Sequence, residues 1–127
     1  MERSFFKKAF VFLLLFQCAL FSKEVALTEM DNGKKIDLTV GDTMTVRLKG
    51  NPTTGYTWQI AAITEKLLTY TEKRYSPSSS RCGAGGTYTF KFRAAEKGMG
   101  ELTLAHLRTW EKGKQPINTF HITVTIS

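Results

Sequence analysis

A strict alternation of apolar and polar residues governs most of the chain after its first two dozen positions. In the stretch TMTVRLKG, Met44, Val46 and Leu48 fall on one face, and threonine, arginine and lysine fall on the other. The stretches TYTFKFRA and TFHITVTIS repeat this period of two, and no segment sustains a helical period. Antiparallel strands with one buried face have the same period. The chain is therefore expected to be all-β.

Turn residues divide this alternating region into segments of strand length. A single domain is expected, because the chain has 127 residues. Residues 61–68 leave room for one turn of helix and no more. Seven to eight short strands with frequent turns predict an immunoglobulin-like antiparallel β-sandwich. The predicted strands are residues 25–29, 35–40, 43–49, 56–62, 67–75, 86–95, 100–108 and 117–126.

The first 22 residues have the composition of a secretory signal peptide. A basic start, RSFFKK, is followed by an apolar run over residues 9–21 and by the small Ser22. A membrane anchor is the alternative, but the run is shorter than the roughly 20 residues that a spanning helix needs. We expect residues 1–22 to be removed and residues 23–127 to form a domain that is secreted, periplasmic or in a vesicle or lysosome lumen. No membrane association is expected after removal.

Cysteine and charge add two constraints on the exported domain. Cys82 is its single cysteine, so no internal disulfide is expected; Cys82 is either a reactive or intermolecular thiol or an ordinary loop residue. The formal charge is +7, and removing residues 1–22 takes away three basic residues and one acidic residue, which leaves +5. The basic residues occur in no run longer than two. This pattern does not predict a nucleic-acid partner.

Three connections between predicted strands stand out, and they fall on the same end of the sandwich. They are NPTTGY at 51–56, SPSSSRCGAGG at 76–86 and RTWEKGKQP at 108–116. If successive strands reverse direction, these alternate connections share one end of the scaffold. Loops grouped at one end of a rigid sandwich commonly bind partners. The sequence therefore predicts a binding edge made of three loops.

The first of these loops combines residues that restrict the backbone. Pro52 fixes its own φ and keeps Asn51 out of the helical region. The Asn51 side chain can bond a nearby backbone N–H, and Gly55 permits a positive φ. Such a loop loses little entropy on binding. The same residues would also form a rigid turn that has no binding role.

The other two loops differ in chemistry. The GAGG run at 83–86 lets the backbone approach another surface closely, unless the neighbouring serines make it a flexible linker. Arg108 and Trp110 are residue types enriched among interface hot spots, although Trp110 could instead close the end of the core. Trp58 lies inside a predicted strand and is the expected core tryptophan.

Taken together, these loops resemble the chagasin family of cysteine protease inhibitors. The order and spacing of NPTTGY, GAGG and RTW match, and VGDTMTVRL at 40–48 and GELTL at 100–104 are also similar to the family. The resemblance covers nearly the whole of residues 23–127. Thr109 departs from the pattern, because the family usually has proline between this arginine and tryptophan.

The resemblance implies a reversible, tight-binding inhibitor of papain-like cysteine proteases, monomeric when free and needing no cofactor. It implies that the first loop enters the active-site cleft, with Thr53 nearest the catalytic cysteine, and that the second and third loops lie on either flank. The residues implied to contact the protease are Asn51, Pro52, Thr53, Thr54, Gly55 and Tyr56, then Gly83, Ala84, Gly85 and Gly86, and finally Arg108, Thr109 and Trp110.

Two other classes of function remain as alternatives. A secreted immunoglobulin-like module for adhesion or ligand binding would explain the fold but not the three loop sequences. An enzyme would need Cys82 beside His106 or His121, yet no orienting motif surrounds either histidine, and we expect no catalytic residue. Two histidines and one cysteine also lack the spacing of a metal site. The prediction is therefore a protease inhibitor and not an enzyme.

Overall fold

Two four-stranded β-sheets pack face to face in the computed structural model, which describes residues 22–79 and 83–127. Most of the predicted signal peptide (residues 1–21) and Cys82 lie outside these ranges. The described residues contain no α-helix, and their helical content is two single 3₁₀ turns, Glu29–Asp31 and Pro52–Thr54. The strands are β1 (Glu24–Leu27), β2 (Lys35–Leu38), β3 (Thr43–Gly50), β4 (Thr57–Ile63), β5 (Leu68–Pro77), β6 (Gly86–Ala94), β7 (Gly98–Leu107) and β8 (Asn118–Ile126).

The strand order is β1-β3-β6-β5 in one sheet and β2-β8-β7-β4 in the other. The pairs β3–β6, β5–β6, β4–β7 and β7–β8 are antiparallel. The predicted all-β, immunoglobulin-like sandwich is confirmed, with one refinement. The short strands β1 and β2 pair in parallel with β3 and β8 at the sheet edges.

The alternation in sequence places the core between the two sheets. On β6, Phe90 and Phe92 are fully buried, and Phe120 on β8 faces them from the other sheet. Trp58 on β4 is 2% exposed, and its indole N–H donates to the carbonyl oxygen of Lys49 over 3.0 Å. This bond satisfies the polar atom of a buried indole. The prediction that Trp58 is the core tryptophan is confirmed.

The connection from β4 to β5 is a tight turn. The backbone N–H groups of Leu67 and Leu68 both donate to the carbonyl oxygen of Thr64, each over 3.1 Å. The sequence left room for one helical turn in residues 61–68, but the structure has a tight turn between β4 and β5 there. Within the described ranges, no helix is long and apolar enough to cross a membrane.

Candidate functional site: three loops at one end of the sandwich

Three connections meet beyond the same ends of the strands, and we name them by sequence. The NPTTGY loop is residues 51–56, the glycine loop is residues 78–86, and the RTW loop is residues 108–117. The Asn51 amide N–H donates to the carbonyl oxygen of Gly83 over 2.8 Å and so joins the first two. The Arg108 side chain donates to the carbonyl oxygen of Thr54 and so joins the first and third. The predicted grouping of the three loops is confirmed.

The NPTTGY loop is a capped 3₁₀ turn. The Asn51 carboxamide oxygen accepts hydrogen bonds from both the backbone N–H (3.1 Å) and the hydroxyl (2.6 Å) of Thr53. The hydroxyl of Thr54 donates to the carbonyl oxygen of Asn51 over 2.7 Å, and Gly55 ends the turn at a φ of 88°. The Thr53 side chain is exposed at the tip. The loop is therefore ordered by its own bonds, as the sequence predicted.

Gly55 and Trp110 bring the NPTTGY loop and the RTW loop into direct contact. A Cβ atom built on Gly55 would lie 2.4 Å from Cη2 of the Trp110 ring, so any other residue would have to displace the ring, and the φ of 88° also favours glycine. The Trp110 side chain is nevertheless 65% exposed. It lies on the surface beside the turn, and the alternative in which Trp110 closes the core is wrong.

The guanidinium group of Arg108 contacts the NPTTGY loop through hydrogen bonds and through an aromatic ring. Nε and Nη2 both donate to the carbonyl oxygen of Thr54, over 3.2 and 3.0 Å. The group also lies over the ring of Tyr56, with 4.3 Å between Cζ and the ring centroid. Arginine suits this position because its planar fork can bond and stack at once.

Glu111 completes this arrangement and was not singled out from the sequence. Its carboxylate accepts from Nη1 of Arg108 over 2.9 Å and lies 3.0 Å from Nζ of Lys114. The hydrogen bond from Arg108, followed by that from Lys114, lowers the pKa of Glu111 below its usual range. The spacing of three residues between Arg108, Glu111 and Lys114 was the available signal. These two ion pairs brace the RTW loop.

The glycine loop brings its backbone close to β5 and to the NPTTGY loop. A Cβ atom on Gly86 would lie 2.3 Å from the carbonyl oxygen of Ser76, so the two strands approach too closely for a side chain. At Gly85 the nearest atom would be 3.5 Å away, which is an ordinary contact. The Ser78 backbone N–H donates to the carbonyl oxygen of Gly85 over 2.9 Å. The described part of this loop is therefore tied down.

His106 lies beneath the loops on β7. Its ring stacks on Trp58 with 4.7 Å between centroids and meets the edge of Tyr56 at 5.8 Å. Burial lowers the pKa of His106 below its ordinary value, and Nε2 has no hydrogen-bond partner in the described part of the chain. The histidine is a packing residue under the site, in line with the prediction that both histidines are strand residues.

Across residues 22–79 and 83–127, no group of three or more histidine, cysteine, aspartate or glutamate residues is placed to hold a metal ion. His121 lies on the outer face of β8, where its Nδ1 is 2.8 Å from the hydroxyl of Thr103. The site therefore consists of three loops with an ordered backbone and one exposed aromatic ring, that of Trp110.

Fold and site together define an immunoglobulin-like β-sandwich that presents three interlocked loops at one end. Residues 37–124 match the family described as "Chagasin family peptidase inhibitor I42". The chain belongs to the chagasin family, as its loop sequences indicated. The members of this family are inhibitors of peptidases and not enzymes.

Two relatives agree with this assignment, and one solved structure shares the fold. Amoebiasin-1 of Entamoeba histolytica is 32% identical over 88 residues, which are 68% of this chain and 84% of the relative. Chagasin of Trypanosoma cruzi is 32% identical over 89 residues, 66% of this chain and 81% of chagasin. The crystal structure of the cysteine protease inhibitor EhICP2 from Entamoeba histolytica superimposes with a TM-score of 0.77 at 23% identity, over 84% of this chain and 97% of that one.

Proposed function

We propose that this chain is a reversible, tight-binding inhibitor of papain-like cysteine proteases that closes the active-site cleft with its three loops. Membership of a family of peptidase inhibitors supports the activity. The observation that carries the mechanism is the interlocking of the NPTTGY loop with its two neighbours through Asn51, Arg108 and Trp110.

The NPTTGY loop acts as the wedge. A papain-like protease attacks with a cysteine thiolate in an open cleft and binds its substrates as extended chains. A capped 3₁₀ turn over Pro52–Thr54 is not extended, so it fills the cleft without offering a peptide bond in line for attack. Thr53 at the tip makes the closest approach. Because Asn51 already orders the turn, little further entropy is lost on binding.

The other two loops contact the enzyme on either side of the wedge. Residues 83–86 supply backbone that few side chains obstruct, and the exposed ring of Trp110 supplies an apolar anchor. Thr109 lies beside Trp110 on the exposed surface of the RTW loop. An interface of about 800 Å² on each partner is expected, which is the standard size for protease–inhibitor complexes. The inhibitor acts outside the cell or in a lumen, after removal of residues 1–22, and is monomeric when free.

Titration of papain with the purified protein tests this proposal. Full, reversible inhibition at nanomolar concentrations is expected. Absence of inhibition at micromolar concentrations would rule it out and favour an adhesion or ligand-binding module.

Two variants test whether the loops make the contact. Trp110→Ala should weaken inhibition by about 1–3 kcal/mol, as expected for an aromatic hot spot. Gly85→Ala should fold normally, because its new methyl group meets only an ordinary contact, yet weaken inhibition by crowding the interface. Met99→Ala is the matched control, since Met99 is a 70% exposed apolar residue on the hairpin at the opposite end. Equal inhibition by all three variants would show that the loops are not the contact surface.

A further inference from the structure

The outer face of the sheet β1-β3-β6-β5 gathers basic residues that are dispersed in the sequence. On β3 and β6 the apolar side chains point inward and the polar ones outward, and we name this outer surface, together with the outward positions of β5, the basic face. Its arginine side chains are exposed, while Thr45 and Thr89 between them are buried. Arg47 on β3 and Arg74 on β5 are both register partners of Thr89 on the central strand β6. The cations of this face are Arg47, Lys49, Arg74, Lys91 and Arg93.

The three arginines of this face make no side-chain hydrogen bond or ion pair in the described part of the chain. Arg47, Arg74 and Arg93 are all exposed. Lys91 differs, because its Nζ lies 3.4 Å from the carboxylate of Glu72. The Lys49 ammonium group is likewise unpaired in the described residues, but Lys49 lies next to the NPTTGY loop, and its backbone N–H donates to the Glu29 carboxylate over 2.5 Å. The three unpaired arginines are therefore the forked cations that the basic face offers to a ligand.

Strand geometry fixes the spacing of the three arginines. Arg47 and Arg74 lie on either side of β6, so their Cα atoms are about 10 Å apart across two strand spacings. Arg93 lies four residues further along β6 than the shared partner Thr89, about 14 Å along the strand axis. Glu24 borders the face, and its carboxylate accepts a hydrogen bond from the Thr45 hydroxyl over 3.0 Å. The result is a flat cationic strip that runs lengthwise along the sheet.

The second sheet provides an internal comparison, because its outer face has no such excess of positive charge. Its strand β2 places Lys35 and Asp37 there together, and β7 adds Glu101. The remaining outward positions of β8 are threonines and His121. Of the two outer faces, that of the sheet β1-β3-β6-β5 therefore has the excess of positive charge.

We propose that the basic face binds a linear sulfated polysaccharide. Arginine forks pair with tetrahedral oxyanions through two parallel hydrogen bonds, and a chain with repeated sulfate groups can reach several of them in turn. The outward residues between the arginines are mainly threonines, and no aromatic ring lies among them. Single-stranded nucleic acid gains affinity by stacking its bases on such rings, and a membrane-surface protein gains it by inserting apolar side chains, and this face supplies neither. The observations therefore favour the polysaccharide.

The basic face is separate from the three loops. It lies along the length of β3, β6 and β5, whereas the loops extend beyond one end of the same strands. A bound polysaccharide would therefore leave the NPTTGY loop and Trp110 accessible. Binding at the basic face does not depend on the proposed inhibition, and it would retain the protein on sulfated surfaces.

Retention of the purified protein on immobilised heparin tests this inference. We expect binding at 0.15 M NaCl and elution at higher salt, because cations that neutralise a polyanion release its counterions. The triple variant Arg47→Gln, Arg74→Gln, Arg93→Gln should bind roughly tenfold more weakly at 0.15 M NaCl. The control triple variant Lys35→Gln, Lys66→Gln, Lys97→Gln removes the same charge from other surfaces and should bind as the wild type does.

Three outcomes would overturn the inference. The first is no retention of the wild type at 0.15 M NaCl. The second is equal weakening by both triple variants, which would show that net charge and not the basic face is responsible. The third is equal or tighter binding, at the same salt, to a single-stranded oligonucleotide or to vesicles containing phosphatidylserine. Circular dichroism of each variant establishes that it is folded, and papain titration reports the loops separately.

Discussion

Arg108 is the residue on which the geometry of the site most depends. Its guanidinium group bonds the carbonyl oxygen of Thr54, lies over Tyr56 and pairs with Glu111. The sequence marked Arg108 as a contact for a protein partner, and that role stays a prediction. The structure adds a positioning role, since this one side chain links the RTW loop to the NPTTGY loop.

Arg108→Lys should weaken inhibition of papain roughly tenfold, because an ammonium group cannot supply the forked bonds and the stacking together. Thermal stability should change little, since the side chain lies at the surface beyond the strands. The inhibition constant and the melting temperature are the two measurements. Arg47→Lys, the same substitution on the basic face, is the control and should inhibit normally. Equal inhibition constants for both variants would contradict the positioning role.

Single residues were predictable from the sequence where local chemistry determines them. Pro52 and Gly55 predict a rigid turn. A tryptophan inside an alternating strand, such as Trp58, is expected in the core. The hydrogen bonds from Arg108 to Thr54 were not predictable, because the two residues are 54 positions apart in the chain. Only the folded arrangement brings that carbonyl oxygen within reach.

At the scale of elements, the strands were predicted nearly to their ends, and so was the end at which each loop lies. Both follow from a period of two and from reversal at each turn, which are local properties. The parallel pairing of β1 with β3 and of β2 with β8 was not predicted. A four-residue strand carries too few side chains to specify its neighbour, and tertiary packing decides its place.

The RTW loop has Thr109 at the position where the sequence resemblance led us to expect proline. The backbone N–H of Thr109 makes no hydrogen bond within the described residues. Ion pairs from Glu111 to Arg108 and Lys114 brace the loop instead. The ion pairs therefore contribute rigidity to a loop that has no proline at position 109.

Thr109→Pro should tighten inhibition by a few-fold, because proline restricts the free loop and displaces no hydrogen bond, an effect of about 0.4–1 kcal/mol at a compatible site. The dissociation rate from papain, measured by surface plasmon resonance, should slow accordingly. Thr57→Pro on β4 is a contrasting control that should destabilise the sheet. Faster dissociation of Thr109→Pro would indicate that the proline distorts the contacts of Arg108.

At the scale of the whole molecule, the stability of the fold should depend on pH through His106, whose ring packs against Trp58 and Tyr56. Burial lowers the pKa of His106, so the unfolded chain takes up a proton near pH 6.5 while the folded chain does not. The free energy of unfolding should therefore fall as the pH drops below this value. Hydrogen bonds lower the pKa values of Asp42 and Glu111, so these carboxylates lose their stabilising effect only at more acidic pH.

His106→Phe should remove this pH dependence, since phenylalanine keeps the stack on Trp58 and carries no proton. We expect the wild type to lose about 2–4 °C of melting temperature between pH 7 and pH 5, a small shift because the ring is not wholly buried. The variant should lose less over the same range. His121→Phe on the outer face is the control and should behave as the wild type does. Identical curves for His106→Phe and the wild type would contradict the assignment.

The contact between Gly55 and Trp110 has a consequence for anyone who wishes to transplant this binding edge. Because the indole occupies the space that a side chain at position 55 would need, the two loops form a single unit of exchange. A scaffold that received only the NPTTGY turn would lack the Trp110 ring that packs beside it. A scaffold that received only the tryptophan would lack the glycine surface against which the ring packs. Selection of new specificities should therefore vary both segments together in one library.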